Sequence, residues 1–280
     1  MLLKCSMLRL GGRSAAICRW LSPAGGAQYS ALKAESTGHV PVLLQHVVSL
    51  LNPAAGERVI DCTAGLGGHA AAIAQRLGPS GSISLLDADA SNLQVASHRV
   101  RSSVPIENGP SVQVHHMNFR NIARVAPQGS VDIIIADLGV CSSQIDNLSR
   151  GFSFRTNTKS ANLHPLTDMD APLDMRFDQS PTSSCVPVSD WLRRTKTLDV
   201  ADALMTLGEV RPSAARRIAA AIEANSPVTS TKQLRDIVVR QTGEVQPPLA
   251  QVCLCMPIFS FSCGPCPYLL RRYFRLCEWS

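Results

Sequence analysis

The chain has 280 residues, 45% of them apolar, which suits one or two domains with a sizeable core and excludes a disordered polymer as a description of the whole. Its 27 basic residues outnumber 21 acidic ones, for a net charge of +6, yet Lys4, Arg9, Arg13, Arg19 and Lys33 all precede the first acid, Glu35. The basic balance is therefore a property of the N-terminal tail, and by itself it does not indicate a nucleic-acid-binding surface.

Residues 1–37 are rich in Arg, Ser, Ala and Leu, with Glu35 their one acid. That composition predicts a mitochondrial transit segment, because arginines interrupt any apolar core long enough for secretion. The segment is expected to lie outside the fold and to direct the chain to the mitochondrial matrix; the alternative is an untargeted extension. Of the ten cysteines, Cys5, Cys18, Cys62, Cys141 and Cys185 are scattered without disulfide-like spacing, as in a reducing compartment. Cys253, Cys255, Cys263, Cys266 and Cys277 crowd the end of the chain.

From residue 38 to 150 the pattern alternates. "LLQHVVSLL" (43–51) has apolar residues at helical spacing, and "RVIDCT" (58–63) reads as a strand. "GHAAAIAQRL" (68–77) reads as a helix, "SISLLD" (82–87) as a strand, and "SNLQVASHRVR" (91–101) as a helix with a Ser or Asn cap. "SVQVHH" (111–116) and "VDIIIAD" (131–137) complete four strands. Strands alternating with helices predict a parallel α/β sheet whose ligands sit at the carboxyl ends of the strands. Ile133–Ile135, apolar on both faces, fits a central strand.

The first of these strands ends in Asp61 and runs through Cys-Thr-Ala-Gly65-Leu-Gly67-Gly68-His69 into a helix. Glycines there permit a sharp turn and close approach of backbone to a ligand. Gly65-x-Gly67-x-x-Ala70 also fits the looser dinucleotide fingerprint, so the glycines leave a nicotinamide cofactor and S-adenosylmethionine both open. Asp61 favours the second, because a carboxylate gains nothing beside pyrophosphate but attracts an ammonium or sulfonium centre. Asp87, ending the next strand, suits ribose hydroxyls in either case. An ordinary tight turn is the structural alternative.

Asp137-Leu-Gly-Val-Cys-Ser-Ser-Gln144 begins at the end of the fourth strand, where α/β enzymes place groups facing the reacting atom. Asp137 there either orients an amine and accepts its proton, or caps a turn. Arg150-Gly-Phe-Ser-Phe154 and Pro172-Leu-Asp-Met-Arg-Phe-Asp178 look like loops with fixed side-chain roles. Phe119, Phe152 and Phe154 stack on a base or fill a core; for a single Phe, core packing is the commoner role.

The ordered set of His39-Val-Pro-Val-Leu-Leu44, Asp61 to His69, Asp137 to Gln144, Arg150 to Phe154, Pro172 to Asp178, Gly208-Glu209 and Arg217-Ile-Ala-Ala-Ala-Ile222 resembles the RsmH/MraW family. The resemblance covers roughly residues 39–245, and with the transit-like tail it points to the mitochondrial branch. It implies a Rossmann-like S-adenosylmethionine-dependent methyltransferase acting on N4 of a cytosine in small-subunit ribosomal RNA, alone or in an assembling subunit. It implies that Gly67, Gly68 and His69 surround the donor, Asp87 meets the ribose, Phe119 flanks the adenine, and Asp137 and Gln144 lie near its methionine end. Asp137 is the expected catalytic residue, and no metal is required.

The family places an inserted helical substrate domain at residues 151–245. "SDWLRRTKTLDVADALMTLG" (189–208) is amphipathic, Pro212 opens a helix over 211–225, and Ser230 with Gln233 makes a capping box. Arg193, Arg194, Lys196, Arg216 and Arg217 either contact phosphates or form a solvated face.

Two stretches depart from the family. Residues 156–171 separate two blocks that the family keeps close, which predicts a flexible loop and a disturbed geometry there. Residues 246–280 are Cys- and Pro-rich, without the family's Pro-Gly-Gly turn or Ser-Phe-His-Ser block. The sheet is thus expected to be incomplete, with the fourth strand as an exposed edge. For the tail itself, a zinc site lacks common spacing and a His, and a bilayer span over 252–270 is broken by prolines. An alternative C-terminus is the favoured reading. The competing functions are a truncated, inactive form that at most binds cofactor or ribosomal RNA, and, more weakly, a nicotinamide-dependent oxidoreductase.

Overall fold

A computed structural model describes residues 4–9 (as backbone), 41, 43–154 and 170–243. Among these, the residues up to Gly139 form one compact unit and those from Val140 a second. The division falls earlier than the 150/151 boundary expected from sequence. Val140 packs on the apolar cluster of the second unit, which is why the chain changes allegiance there.

The first unit is a sheet of β1 (Lys4–Arg9), β2 (Arg58–Asp61), β3 (Ser82–Asp87), β4 (Ser111–His116) and β5 (Ile133–Leu138), in the order β1-β5-β2-β3-β4. As expected, β2 to β5 are all parallel. Helices α1 (Leu44–Leu51), α2 (Gly68–Leu77) and α3 (Ala90–Ser102) share one apolar cluster with Val59, Ile83, Leu85, Ile133 and Ile135. Ile60, Cys62 and Leu86 belong to a second cluster, where the 3-10 segment Phe119–Arg124, kinked at Asn121, packs with Ile134 and Ala136. Alternation along each strand sends successive side chains to opposite faces, so the central strands are apolar throughout.

Two expectations change. Residues 1–37 were expected outside the fold, but Lys4–Arg9 pair antiparallel with Ile133–Leu138. β5 is therefore no bare edge, because its unpaired N–H and C=O groups find partners in the chain's own N-terminal segment. The cap of α3 is Asp89, whose carboxylate accepts from the N–H groups of Ser91 and Asn92, rather than either of those residues.

The second unit is helical: α4 (Ser142–Asp146), α5 (Val188–Arg194), α6 (Thr197–Thr206), α7 (Pro212–Ala224) and α8 (Thr231–Thr242). The single amphipathic stretch read over 189–208 is two helices. Thr195 and Lys196 are extended, and the Thr195 hydroxyl donates to the Trp191 carbonyl, closing the first helix. Pro212 opens α7 as predicted. Ser230 caps α8 through the Gln233 N–H at 3.2 Å, while Gln233 Oε1 reaches back to the Thr229 N–H at 2.8 Å, one residue beyond the usual box. Leu204, Ala215, Ile218, Leu234 and Val238 are fully buried in the resulting core.

The blocks on either side of residues 155–169 meet, contrary to the disturbed geometry expected. The Arg150 carbonyl accepts from the Met175 N–H at 2.9 Å, and the Arg150 guanidinium donates to the carbonyls of Arg176 and Phe177. Gly151, at φ +73°, lies so close to the Pro172 carbonyl that no Cβ fits between them. Backbone bonds within 150–177 thus hold the blocks whatever the length of the segment between them. The Cys-rich tail, with its zinc and bilayer readings, lies outside the described residues, as does nearly all of the 156–171 loop.

Candidate functional site

Strand register builds the site. Asp61 on β2 pairs with Leu85 of β3 on one side and with Ile135 of β5 on the other. Asp87 and Asp137 lie two residues further along those neighbours, so all three carboxylates share one face at the carboxyl ends of adjacent strands. The turn after β2 is tied to both flanking strands. The Gly65 N–H donates to Asp87 Oδ2 at 2.7 Å, and Thr63 Oγ1 accepts from the Asp137 N–H at 2.7 Å. Asp61 Oδ1 accepts from the Thr63 N–H at 3.1 Å, and Asp87 Oδ1 from the Asp89 N–H at 2.8 Å. Gly67, at φ +76°, brings the turn against α3: a Cβ there would sit 2.7 Å from the Ala96 Cα. Such a turn is more than an ordinary bend, because the Gly65 N–H and the Thr63 hydroxyl tie it to the ends of both neighbouring strands.

Burial and mutual repulsion make the three acids costly to ionise together. Asp61, only 2% exposed, is pushed up to about 7, first by desolvation and then by the charges of Asp87 and Asp137. Asp87 is raised by burial against the pull of its backbone N–H donors. Asp137 is raised by burial too, and the His69 ring draws it part of the way back. Asp137 Oδ1 is buried and has no hydrogen-bond partner among the described residues. Burial likewise holds the neighbouring Cys62 thiol up at about 12, so it is inert as a nucleophile.

A face with excess negative charge and an unused acceptor fits a ligand that brings positive charge and hydroxyl donors. The ammonium, sulfonium and ribose of S-adenosylmethionine meet that description, whereas pyrophosphate does not. Asp87 still offers lone pairs to hydroxyls, since each of its oxygens accepts one backbone bond.

The first unit brings together Gly67, Gly68, His69, Asp87 and Asp137 around this turn. His69 is buried in the first turn of α2. Phe119 starts the kinked 3-10 segment after β4, half-buried against the second cluster, so part of its ring serves packing. Gln144 lies in the second unit. It is buried there, and its Oε1 accepts from the Cys141 N–H at 3.0 Å, an internal cap for α4. Phe152 proves to be a core residue, with its ring centroid 5.2 Å from that of Phe177. Asp174, which the sequence did not single out, grips Arg176 through both carboxylate oxygens at 2.8 and 2.9 Å and stays below the usual carboxylate range. Spacing gave no signal for that pair beyond the Pro172–Asp178 block itself. Arg193, Arg194, Lys196, Arg216 and Arg217 are exposed; Arg193 pairs with Asp190, and Arg217 donates to the Gln241 carbonyl. Among the described residues, no helix is long and apolar enough to cross a membrane, and no cluster of His, Cys, Asp or Glu suits a metal ion.

A mostly parallel open sheet with a glycine turn between acid-tipped strands defines an α/β protein whose candidate site lies at the carboxyl ends of its strands. More closely, the sequence pattern of the MraW methylase family matches residues 36–248, and the chain belongs to that family. It is 36% identical over 203 residues to the ribosomal RNA small subunit methyltransferase H of Xanthomonas axonopodis pv. citri, covering 71% of this chain and 52% of that protein. Similar proteins of the same name occur in Acidobacterium capsulatum (36% over 207 residues, 73% and 63%) and Xylella fastidiosa (35% over 203 residues, 71% and 57%). The chain thus spans about half the length of the first of these relatives and under two thirds of the others.

Proposed function

We propose that this chain is an S-adenosylmethionine-dependent methyltransferase that acts on N4 of a cytosine in small-subunit ribosomal RNA, in the mitochondrial matrix. The observation that carries the reading is the convergence of Asp61, Asp87 and Asp137 on one face around the Gly65–His69 turn. Family membership and the names of the relatives support the reaction and the RNA substrate. The acid-free N-terminal stretch before Glu35 supports the location.

Within this reading Asp87 receives ribose hydroxyls, and Gly67, Gly68 and His69 shape the backbone around the donor. Phe119 offers the exposed part of its ring to the adenine. The donor supplies an electrophilic methyl group on a sulfonium. The exocyclic amine of cytosine is a poor nucleophile, because its lone pair is delocalised into the ring. It needs in-line positioning and an acceptor for the charge that develops on nitrogen. Asp137 is that acceptor: its Oδ1 is buried without a partner among the described residues and suits an amine N–H. The exposed cations of α5 and α7 suit RNA phosphates.

The test is transfer of labelled methyl groups from S-adenosylmethionine to small-subunit RNA, with digestion to nucleosides. N4-methylcytidine in the digest supports the proposal. Donor and RNA binding without transfer would leave a binding protein in its place. Methylation of another base would refute the cytosine assignment. Fusion of residues 1–37 to a reporter tests the location: a cytosolic reporter would refute it.

A further inference from the structure

Asp61 is the most buried of the three acids and the central one, yet the ligand chemistry above gives it no direct contact. It is 2% exposed, and the one bond seen at its carboxylate comes from the Thr63 N–H. The groups that face it are Asp87 from β3, Asp137 from β5 and the Cys62 thiol beside it. Beyond them, Asp89 stands next to Asp87 and His69 next to Asp137. The charged groups nearest to Asp61 are therefore themselves acids. Against them stands the Thr63 N–H, and a positive charge arriving from outside the protein would favour the ionised form further.

Resting on the methyl-donor reading, we propose that Asp61 makes this site distinguish donor from product: the cluster keeps a proton until the cationic donor displaces it, and takes a proton back once the sulfur is neutral. S-adenosylmethionine carries a sulfonium where S-adenosylhomocysteine carries a neutral thioether. When the methyl group leaves, its bonding pair stays on sulfur and the positive charge there is lost. The stimulus that held Asp61 ionised goes with it. The product keeps its ammonium but has lost the sulfonium, so it favours the ionised form of the cluster less than the donor does. Asp137 and Asp87 make contacts; Asp61 acts through them and through the field, as a positioning residue.

Calorimetric titration of the full chain with S-adenosylmethionine and with S-adenosylhomocysteine, in phosphate and in Tris, counts the protons moved. Near neutral pH donor binding should release a measurable fraction of a proton, because burial and the neighbouring acids push Asp61 up to about 7, and product binding should release distinctly less. Between pH 6 and pH 8 the donor-to-product affinity ratio should rise about tenfold, following the ionised fraction of one such group. Asp61→Asn keeps an acceptor for the Thr63 N–H and should abolish both the release and the pH dependence of the ratio. Donor binding with the same heat in both buffers and a flat ratio would overturn the proposal even if the variant does not fold. Equal proton release by wild type and a folded Asp61→Asn would also overturn it. Binding of neither compound would instead overturn the donor-site reading on which it rests.

Discussion

The two units use the same residue type in opposite ways. In the first, Asp61, Asp87 and Asp137 crowd together at strand ends, and burial raises all three above the ordinary carboxylate range. In the second, Asp174 faces Arg176 and is held below it. A lone carboxylate paired with its own cation stabilises a loop. Three carboxylates without one create a demand that a ligand must meet. The comparison separates a structural acid from a functional one by its partners rather than by its exposure.

The sharpest way to break this contrast is through the cores, which owe nothing to charge. Leu204→Ala empties a fully buried position and should cost about 2–5 kcal/mol in urea unfolding, equally at acid and neutral pH. A strongly pH-dependent loss would mean that the helical core is coupled to ionisation. Gly67→Ala comes next. Its φ of +76° and the closeness of Ala96 should make the change cost about 1–3 kcal/mol and weaken donor binding with it. Wild-type stability in that variant would show that the turn is not pinned against α3.

Charge supplies the third contrast, and the signs are opposite. The Asp61 carboxyl is raised from the ordinary 3.8 to about 7, so the folded state holds its proton longer than the unfolded state. Its contribution is greatest below the unfolded value and is lost as pH rises towards 7, so Asp61→Asn should stabilise the protein at pH 8. Asp174 is lowered, so its contribution is present above the unfolded carboxylate range and lost as pH falls through its folded value. Asp174→Asn should therefore destabilise at neutral pH and blunt acid sensitivity. Unfolding followed by circular dichroism from pH 4 to pH 8 distinguishes the two; parallel profiles would collapse the comparison. The smallest effect is local: Ser230→Ala removes the cap of α8 and should cost about 1 kcal/mol, with no effect on donor affinity.

Much of the first unit was legible. Period-two and helical patterns located β2 to β5 and α1 to α3, because each strand feeds a crossover helix that buries a continuous apolar face. The Asp61–His69 turn was legible for the same reason, since acids and glycines at strand ends have few structural uses. β1 was not legible: Lys4–Arg9 is a short stretch inside a basic tail whose composition reads as a targeting segment, and it takes its structure from the open edge of β5. The break at Thr195–Lys196 was hidden because both helices continue one amphipathic pattern. The meeting of Gly151 with Pro172 depends on backbone contacts across residues 155–169, which spacing along the chain does not convey. In the sequence, core packing is already the commoner role for a single Phe, and Phe152 takes it; that Gln144 also caps α4 through the Cys141 N–H is a tertiary detail that spacing does not convey.

The central claim is that the strand-end acids hold a cationic methyl donor. Its most direct test is saturable binding of S-adenosylmethionine to the full chain, measured beside Asp87→Ala. The account predicts that wild type binds and that the variant loses about 1.5–3 kcal/mol, the worth of a hydrogen bond from a ribose hydroxyl to a charged acceptor. Equal affinity in the two proteins, or no binding by a folded wild type, would contradict it.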